Sequence, residues 1–227
     1  MATHDSTISG ITLERAEFEQ LLAQSPRTFD GCAFDEADLS RLDLQGCTFE
    51  RCTFTGANLF ACKLARATFR RCRAGGADFE SVDAVDASFE ACDLNNTIWR
   101  RARLASASYH GCKLTGASFE EAAHLGITFE ECLLIGADLR GFSFRKATLK
   151  QLDLSEAYLA GCDFREAVFE GGSLRNAVLK LAKFQGADLR GAEIDGFKLT
   201  EAALFKGAVI THAQAANFVR ELGISVI

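Results

Sequence analysis

From Phe29 to Leu204 every fifth residue of the chain is large and apolar, without one insertion or deletion. The series begins Phe29, Phe34, Leu39, Leu44, Phe49, Phe54, and only Ala74, Ala84 and His124 depart from it. Two residues before each large residue stands a mostly small one, as at Cys32, Ala37, Cys47, Cys52, Ala57 and Cys62. A helix buries a stripe with period 3.6 and a strand alternates with period 2, so a period of five fits neither. Two inward residues in five, separated by one outward residue, describe a short extended step followed by a corner. Four such steps return the chain to its starting direction and predict a coil of 20 residues. Columns at that spacing support it: Cys32, Cys52, Cys72, Cys92, Cys112 and Cys132 form one, and Phe29, Phe49, Phe69, Phe89, Tyr109 and Phe129 another. The predicted fold class is all-β, a quadrilateral β-helix of about nine coils stacked at roughly the spacing of parallel strands.

This register divides the chain into an N-terminal cap (1–26), the repeat region (27–206) and a C-terminal helix with a tail (207–227). Residues 12–24 suit a short amphipathic helix, although Ile8, Leu13 and Phe18 also fit a first coil out of register. Thr211 is placed to cap a helix over about 212–222 that Gly223 ends. Such ends are needed, because an unfinished coil leaves backbone groups and apolar surface without a neighbour.

With 25 Lys and Arg against 31 Asp and Glu, the chain carries a formal charge of −6. That balance argues against a polycationic nucleic-acid binder. The first residues show neither the basic nor the apolar region of a secretion signal, and no apolar run reaches the ~20 residues of a membrane span. Nine cysteines, an odd number, are read as reduced thiols in a cytoplasm.

Those cysteines occupy inward positions that alanine fills elsewhere, so packing rather than metal binding or thiol chemistry explains them. His124 takes a core position between Leu104 and Phe144 in its column and is read as structural. His110 points outward and Cys112 inward, which prevents them from acting as a catalytic pair. No phosphate loop, HExxH or GxSxG motif is present. Together these readings predict a protein that is not an enzyme and uses no cofactor or metal.

The outward charges form two kinds of column. Glu50, Arg70, Glu90, His110, Glu130, Lys150, Glu170 and Arg190 alternate in sign at the coil spacing, as do Asp43, Lys63, Asp83 and Arg103; such ladders neutralise themselves across strands. Asp38, Asp78, Glu80, Glu120, Glu121 and Asp138 share one side and are expected to be less compensated, although Arg100, Arg101 and Arg140 interrupt them. A basic band of Arg66, Arg70, Arg71, Arg73, Arg100, Arg101 and Arg103 is expected to pair within the solenoid.

Two stretches narrow the reading: Cys72-Arg73-Ala74-Gly75-Gly76-Ala77-Asp78-Phe79, and the ending Arg220-Glu221-Leu222-Gly223-Ile224-Ser225-Val226-Ile227. With the repeat, they resemble the pentapeptide-repeat proteins, and within these the Qnr-type quinolone-resistance and topoisomerase-immunity group. The resemblance implies a right-handed β-helix that dimerises through its C-terminal ends and imitates B-form DNA. It implies binding to DNA gyrase or topoisomerase IV and protection of the enzyme from quinolones or toxins, with no direct contact to nucleic acid or membrane. The acids Asp38, Asp78, Glu80, Glu120, Glu121 and Asp138 are then the candidate mimic face. Phe218, Val219, Leu222, Ile224, Val226 and Ile227 are the candidate dimer interface. The unbroken register leaves no room for the loops inserted in several Gram-negative members and resembles the loopless ones. The alternative is a scaffold for an unrelated protein partner, bound through outward apolar residues such as Phe60, Val85, Leu133 and Ile135.

Overall fold

Because each five-residue step is too short to close hydrogen bonds within itself, its backbone groups pair with the coils before and after. In the computed structural model, which describes residues 7–12, 15–22, 28–197, 199–220 and 223–226, this pairing organises two units, Met1–Thr128 and Phe129–Ile227. Along the coils of both, partner residues are 20 apart in sequence, with an offset of 21 where each cap joins.

In the first unit, β1 (Thr7–Ser9), β2 (Thr28–Asp30), β3 (Thr48–Glu50), β4 (Thr68–Arg70), β5 (Ser88–Glu90) and β6 (Ser108–His110) pair in parallel, each with the next. They form the first side of the coil. Single parallel bridges make the other three, through Ala33, Thr53 and Arg73 on the second side, Asp38, Asn58 and Asp78 on the third, and Asp43, Lys63 and Asp83 on the fourth. The pattern on each side is the same. The amides of Phe34 and Glu36 donate to the carbonyls of Thr53 and Thr55 at 2.7 and 2.8 Å, and the Thr53 amide donates back to Cys32 at 3.0 Å. Turn bonds such as Ala37 N to Phe34 O, 3.2 Å, close the corners after the second, third and fourth sides.

Nearly every corner carries a residue of positive φ two places after the large inward residue, Gly191 after Leu189 being an exception. Glycine fills some of these positions, but Glu36, Arg41, Arg51, Ala61 and Arg66 also adopt it, with φ between 53° and 62°. Glycine is therefore suited to these corners but not required. The inter-coil ladder holds L-residues in a conformation they normally avoid.

Inside the coil the inward residues stack. The rings of Phe29, Phe49, Phe69, Phe89 and Tyr109 follow one another at centroid separations of 4.8 to 5.3 Å, nearly parallel. Trp99 lies on Phe79 at 4.1 Å. Its indole N–H, which needs a partner when buried, donates to Thr97 Oγ1 at 2.8 Å, and that hydroxyl donates to the Leu94 carbonyl at 2.7 Å. Thr97 thus supplies a polar atom at an inward position held elsewhere by Ala or Cys.

The N-terminal cap contains both a strand and a helix. β1 sets Ile8 opposite Phe29, an offset of 21, and α1 (Arg15–Leu22) buries Phe18 against Phe29 and Phe34 at about 5 Å. Leu13 lies outside the described residues. Arg15 has a further role at the open edge of the third side. There the carbonyls of Asp38 and Ser40 lack the preceding coil whose amides would bond them, as Leu39 and Arg41 bond Asn58 and Phe60 one coil later. The Arg15 guanidinium donates to both, Nη1 to Asp38 and Nη2 to Ser40, each at 2.8 Å.

In the second unit, β7 (Thr128–Glu130) begins where the first unit ends in sequence, and β8 (Thr148–Lys150) pairs with β9 (Val168–Glu170). Bridges through Leu133, Asp153, Ser173 and Glu193, through Asp138, Tyr158 and Val178, and through Ser143, Asp163 and Lys183 complete the four sides. At the column otherwise held by cysteine stands Leu152, and Gly172 follows it one coil later. A Cβ on Gly172 would lie 2.1 Å from the Leu152 carbonyl oxygen, so the close approach of the two backbones admits no side chain there.

The regular register ends before Leu204, and the ninth coil is incomplete. Leu199–Phe205 forms a 3₁₀ segment. Phe205, not Leu204, continues the stack of Phe144, Phe164 and Phe184, at 5.0 Å from Phe184. With no following coil to pair with, this segment closes its hydrogen bonds locally and shifts the inward position by one residue.

Helix α2 (His212–Arg220) then covers the end. Thr211 and Gln214 cap it reciprocally: the Gln214 amide donates to Thr211 Oγ1 at 3.1 Å and the Thr211 amide to Gln214 Oε1 at 2.7 Å. Gln214 Nε2 donates to the carbonyls of Leu189 and Ala192, both 2.7 Å. Leu189 and Ile194 are buried by this arrangement. The 3₁₀ segment and Phe218, 5.7 Å from Phe205, help α2 to close that end.

Arg15→Ala is expected to lower unfolding stability by about 1–3 kcal/mol, the range for charged hydrogen bonds and unpaired carbonyls. Arg15→Lys should recover little, because an ammonium cannot present a fork to two carbonyls. Equal stability of wild type and Arg15→Ala in chemical denaturation would refute this capping role.

Candidate partner-binding surface

Most of the exposed side chains are outward and corner residues of the coils, so the charge columns come first. The expected ladders form on the first and fourth sides. In the first unit Arg70 meets Glu90 at 2.9 Å, Lys63 meets Asp43 at 3.2 Å and Arg103 meets Asp83 at 2.9 Å; in the second, Lys150 meets Glu130 at 2.9 Å. Two members pair otherwise. Glu50 engages Arg51 and Arg71, at 3.5 and 3.6 Å, and Arg190 engages Asp188 of its own coil at 2.5 Å. The arginine band is thus largely occupied within the fold, as expected.

On the third side the structure corrects the expectation of uncompensated acids. Glu80 is only 8% exposed and is clasped by Arg100, with Nη2 at 2.5 Å and Nε at 3.1 Å, and by Arg101. Hydrogen bonds from Arg100, then Arg101, hold its carboxyl below the usual range. Arg101 stands at a corner, 21 residues from Glu80, and so escapes a search at the 20-residue spacing. Glu120 and Glu121 are exposed one coil further on and raise the pKa of Arg100 after the larger effect of Glu80.

Asp38 lies 3.6 Å from Arg15 and accepts hydrogen bonds from the Ser40 amide and Asn58 Nδ2, at 3.0 and 3.1 Å. Asp78 is half-buried and accepts the Glu80 amide at 2.8 Å. In the second unit Asp138 is gripped by Arg140, Nε to Oδ1 at 2.8 Å and Nη2 to Oδ2 at 2.5 Å. The first unit's third side is therefore another alternation of sign: Asp78 with Glu80, then Arg100 with Arg101, then Glu120 with Glu121.

The thiols and histidines follow the sequence reading. All nine cysteines are buried and free. Cys52, Cys72 and Cys112 donate to the carbonyls of Phe29, Phe49 and Phe89, each at 3.3 Å. Burial pushes the Cys62 and Cys162 thiols up to about 12. His110 is exposed, opposite in direction to Cys112, and His124 is half-buried with Nδ1 3.0 Å from the Ala122 carbonyl. Among the described residues no group of His, Cys, Asp and Glu is placed to hold a metal ion, and no helix is long and apolar enough to cross a membrane.

At the C-terminal end Phe218 is buried, Val219 is half-buried, and Ile224 and Val226 are exposed; Leu222 and Ile227 lie outside the described residues. Of the outward apolar residues, Phe60, Val85 and Ile135 are half-buried and Leu133 is exposed. Sequence reasoning missed Ile98, Leu125, Tyr158, Val178 and Leu181, which are also exposed. Their signal was available, since each is a large apolar residue at an outward place in the register.

The family model described as the pentapeptide repeat region matches residues 27–99 and 82–159, and that for pentapeptide repeats in eight copies matches 162–200. The chain belongs to the pentapeptide-repeat family. Among solved pentapeptide-repeat structures, a trypsin-treated variant of QnrB1, a plasmid-mediated fluoroquinolone resistance protein, is similar with a TM-score of 0.75 and 22% identity. That match covers 88% of this chain and 100% of the other. Full-length QnrB1 gives 0.73 and 18%, covering 96% and 100%. HetL, a pentapeptide-repeat protein involved in heterocyst differentiation regulation in the cyanobacterium Nostoc sp. strain PCC 7120, gives 0.57 and 21%, covering 85% and 89%. No curated protein matches by sequence.

The burial of the cysteine columns is directly measurable. Native protein at pH 8 is expected to react slowly or not at all with a thiol reagent, and denatured protein without reductant to release nine equivalents. A substantially smaller number after denaturation would reveal disulfides and contradict the packing role.

Proposed function

We propose that this pentapeptide-repeat protein is a non-enzymatic binding protein that engages type II topoisomerase, DNA gyrase or topoisomerase IV, and protects it from quinolones or toxins. The observation that carries this reading is the fold match along the whole of QnrB1, a fluoroquinolone resistance protein. The nine free, buried thiols support a reducing, cytoplasmic setting.

The DNA-mimic surface in this reading is the third side of the first unit, narrowed by its ion pairs. Glu80 holds Arg100 and Arg101 in place and is a positioning residue. Glu120 and Glu121 present exposed carboxylates to a partner, together with the half-buried Asp78. Alternating charges at coil spacing present a small net field, so recognition rests on local complementarity more than on long-range attraction. Purified protein is expected to lower quinolone-stabilised cleavage by gyrase, and Glu120→Lys with Glu121→Lys to weaken that effect. Failure of the wild type to alter either supercoiling or drug-induced cleavage would leave the scaffold reading in its place.

The same reading includes a homodimer joined through the C-terminal tail. Since α2 already covers Leu189 and Ile194, the pairing surface among the described residues centres on the exposed Ile224 and Val226 beyond Gly223. Removing residues 224–227 is expected to turn a dimer into a folded monomer in light scattering. A dimer that survives this deletion places the interface elsewhere.

A further inference from the structure

On the third side of the second unit, apolar residues are exposed together. Tyr158 and Val178 are bridge partners on successive coils, 52% and 43% exposed, and Leu181 at the following corner is 73% exposed. Ala160 and the corner glycines Gly141 and Gly161 leave the surface between them low. Leu181 is unusual in backbone as well as exposure. Its φ is 63°, and every other non-glycine residue of positive φ among those described is charged, polar or alanine. A leucine that gains nothing from burial and sits in a disfavoured conformation points to a role outside the fold.

Both signs of charge border this patch: Glu156, two residues before Tyr158, is exposed, as are Arg175, Lys180 and Lys183. Asp138 is fully engaged by Arg140, and on the adjoining fourth side Asp163 is engaged by Arg165, with Nε to Oδ1 at 2.8 Å and Nη2 to Oδ2 at 2.5 Å. Lys180, between Val178 and Leu181, and Lys183 beyond the corner are exposed and form no ion pair among the described residues. Two ammonium groups therefore border three exposed apolar side chains; Lys183 also helps to hold Asp163 ionised, and Asp138 and Asp163 are bound by their arginines.

We infer that Tyr158, Val178, Lys180, Leu181 and Lys183 form a docking surface for an acidic protein segment bearing apolar anchors. The aromatic and aliphatic side chains supply contact area, and the lysines select acidic over neutral or basic sequences. A second copy of the chain fits less well, because two-fold pairing of this patch would set its lysines against each other. The inter-coil ladder occupies the backbone here, so recognition proceeds through side chains and not through strand addition. This surface is independent of the topoisomerase reading and lies in the other unit from Asp78, Glu120 and Glu121.

The test uses the full chain and a fluorescent dodecapeptide of alternating Glu and Leu, with a Gln-for-Glu version as control. Fluorescence anisotropy is expected to show binding of the acidic peptide that weakens with salt, and at least roughly ten-fold weaker binding of the Gln peptide. Leu181→Gly and Lys180→Glu should each weaken acidic-peptide binding by about ten-fold or more. Leu181→Gly suits φ 63° and is expected to retain the wild-type melting temperature, so loss of binding cannot be ascribed to unfolding. Absence of binding, or equal binding by wild type and both variants, overturns the inference. It is equally overturned if Leu181→Gly abolishes self-association in light scattering, or if phosphatidylserine vesicles bind the wild type and that binding is lost in the same variants. No topoisomerase enters the experiment, so its result stands apart from the gyrase assay.

Discussion

The hydrogen-bonded ladder between residues 20 apart is the constraint from which the rest of this molecule follows. No coil can satisfy its own backbone: the amides of Phe34 and Glu36 need the carbonyls of Thr53 and Thr55, and Thr53 needs Cys32. Buried amides and carbonyls are costly when unpaired. A slip of one residue on one side would disrupt the others, because the corners connect them. That shared register also holds Ala61 and Arg66 at positive φ, where the local conformational preference of an L-residue is overruled by its neighbours.

The side-chain columns are consequences of the ladder. Like residues recur at the strand spacing, which places the rings of Phe49, Phe69 and Phe89 within stacking distance and aligns each thiol with a carbonyl of the coil before it. Outside, the same spacing would place identical charges against each other. The chain avoids this by alternating sign, as in Arg70 with Glu90 and Lys63 with Asp43. A surface rich in charge is thereby made nearly neutral over the distance of two coils. Any partner must read it at close range.

The core was legible because a period of five is compatible with so few structures, and because the cysteine and phenylalanine columns report the coil length independently. Contacts that leave the column were not legible. Arg101 reaches Glu80 from a corner, and Arg15 reaches backbone carbonyls that carry no sequence mark. Phe205 replaces Leu204 because the 3₁₀ segment takes up one extra residue, and the ladder resumes beyond it at an offset of 21, with Asp188 opposite Val209. Leu181 could have been found as an apolar residue out of place, but its significance depends on the commitment of Asp138 and Asp163 to their arginines, which only coordinates reveal.

Each cap combines packing by an aromatic side chain, Phe18 or Phe218, with a polar group that bonds backbone carbonyls. Arg15 binds carbonyls that every coil possesses, and Gln214 does the same at the other terminus. Neither polar contact depends on the identity of the side chains in the coil it closes. Length is consequently adjustable in this architecture only in whole coils: adding or removing 20 residues would preserve the inward columns and turns but set like charges together in the outward ladders, whereas a change of 40 would keep their alternation as well. Genetic change in such a chain is therefore quantised, and a protein of this kind can be lengthened or shortened to suit a partner without redesigning its ends.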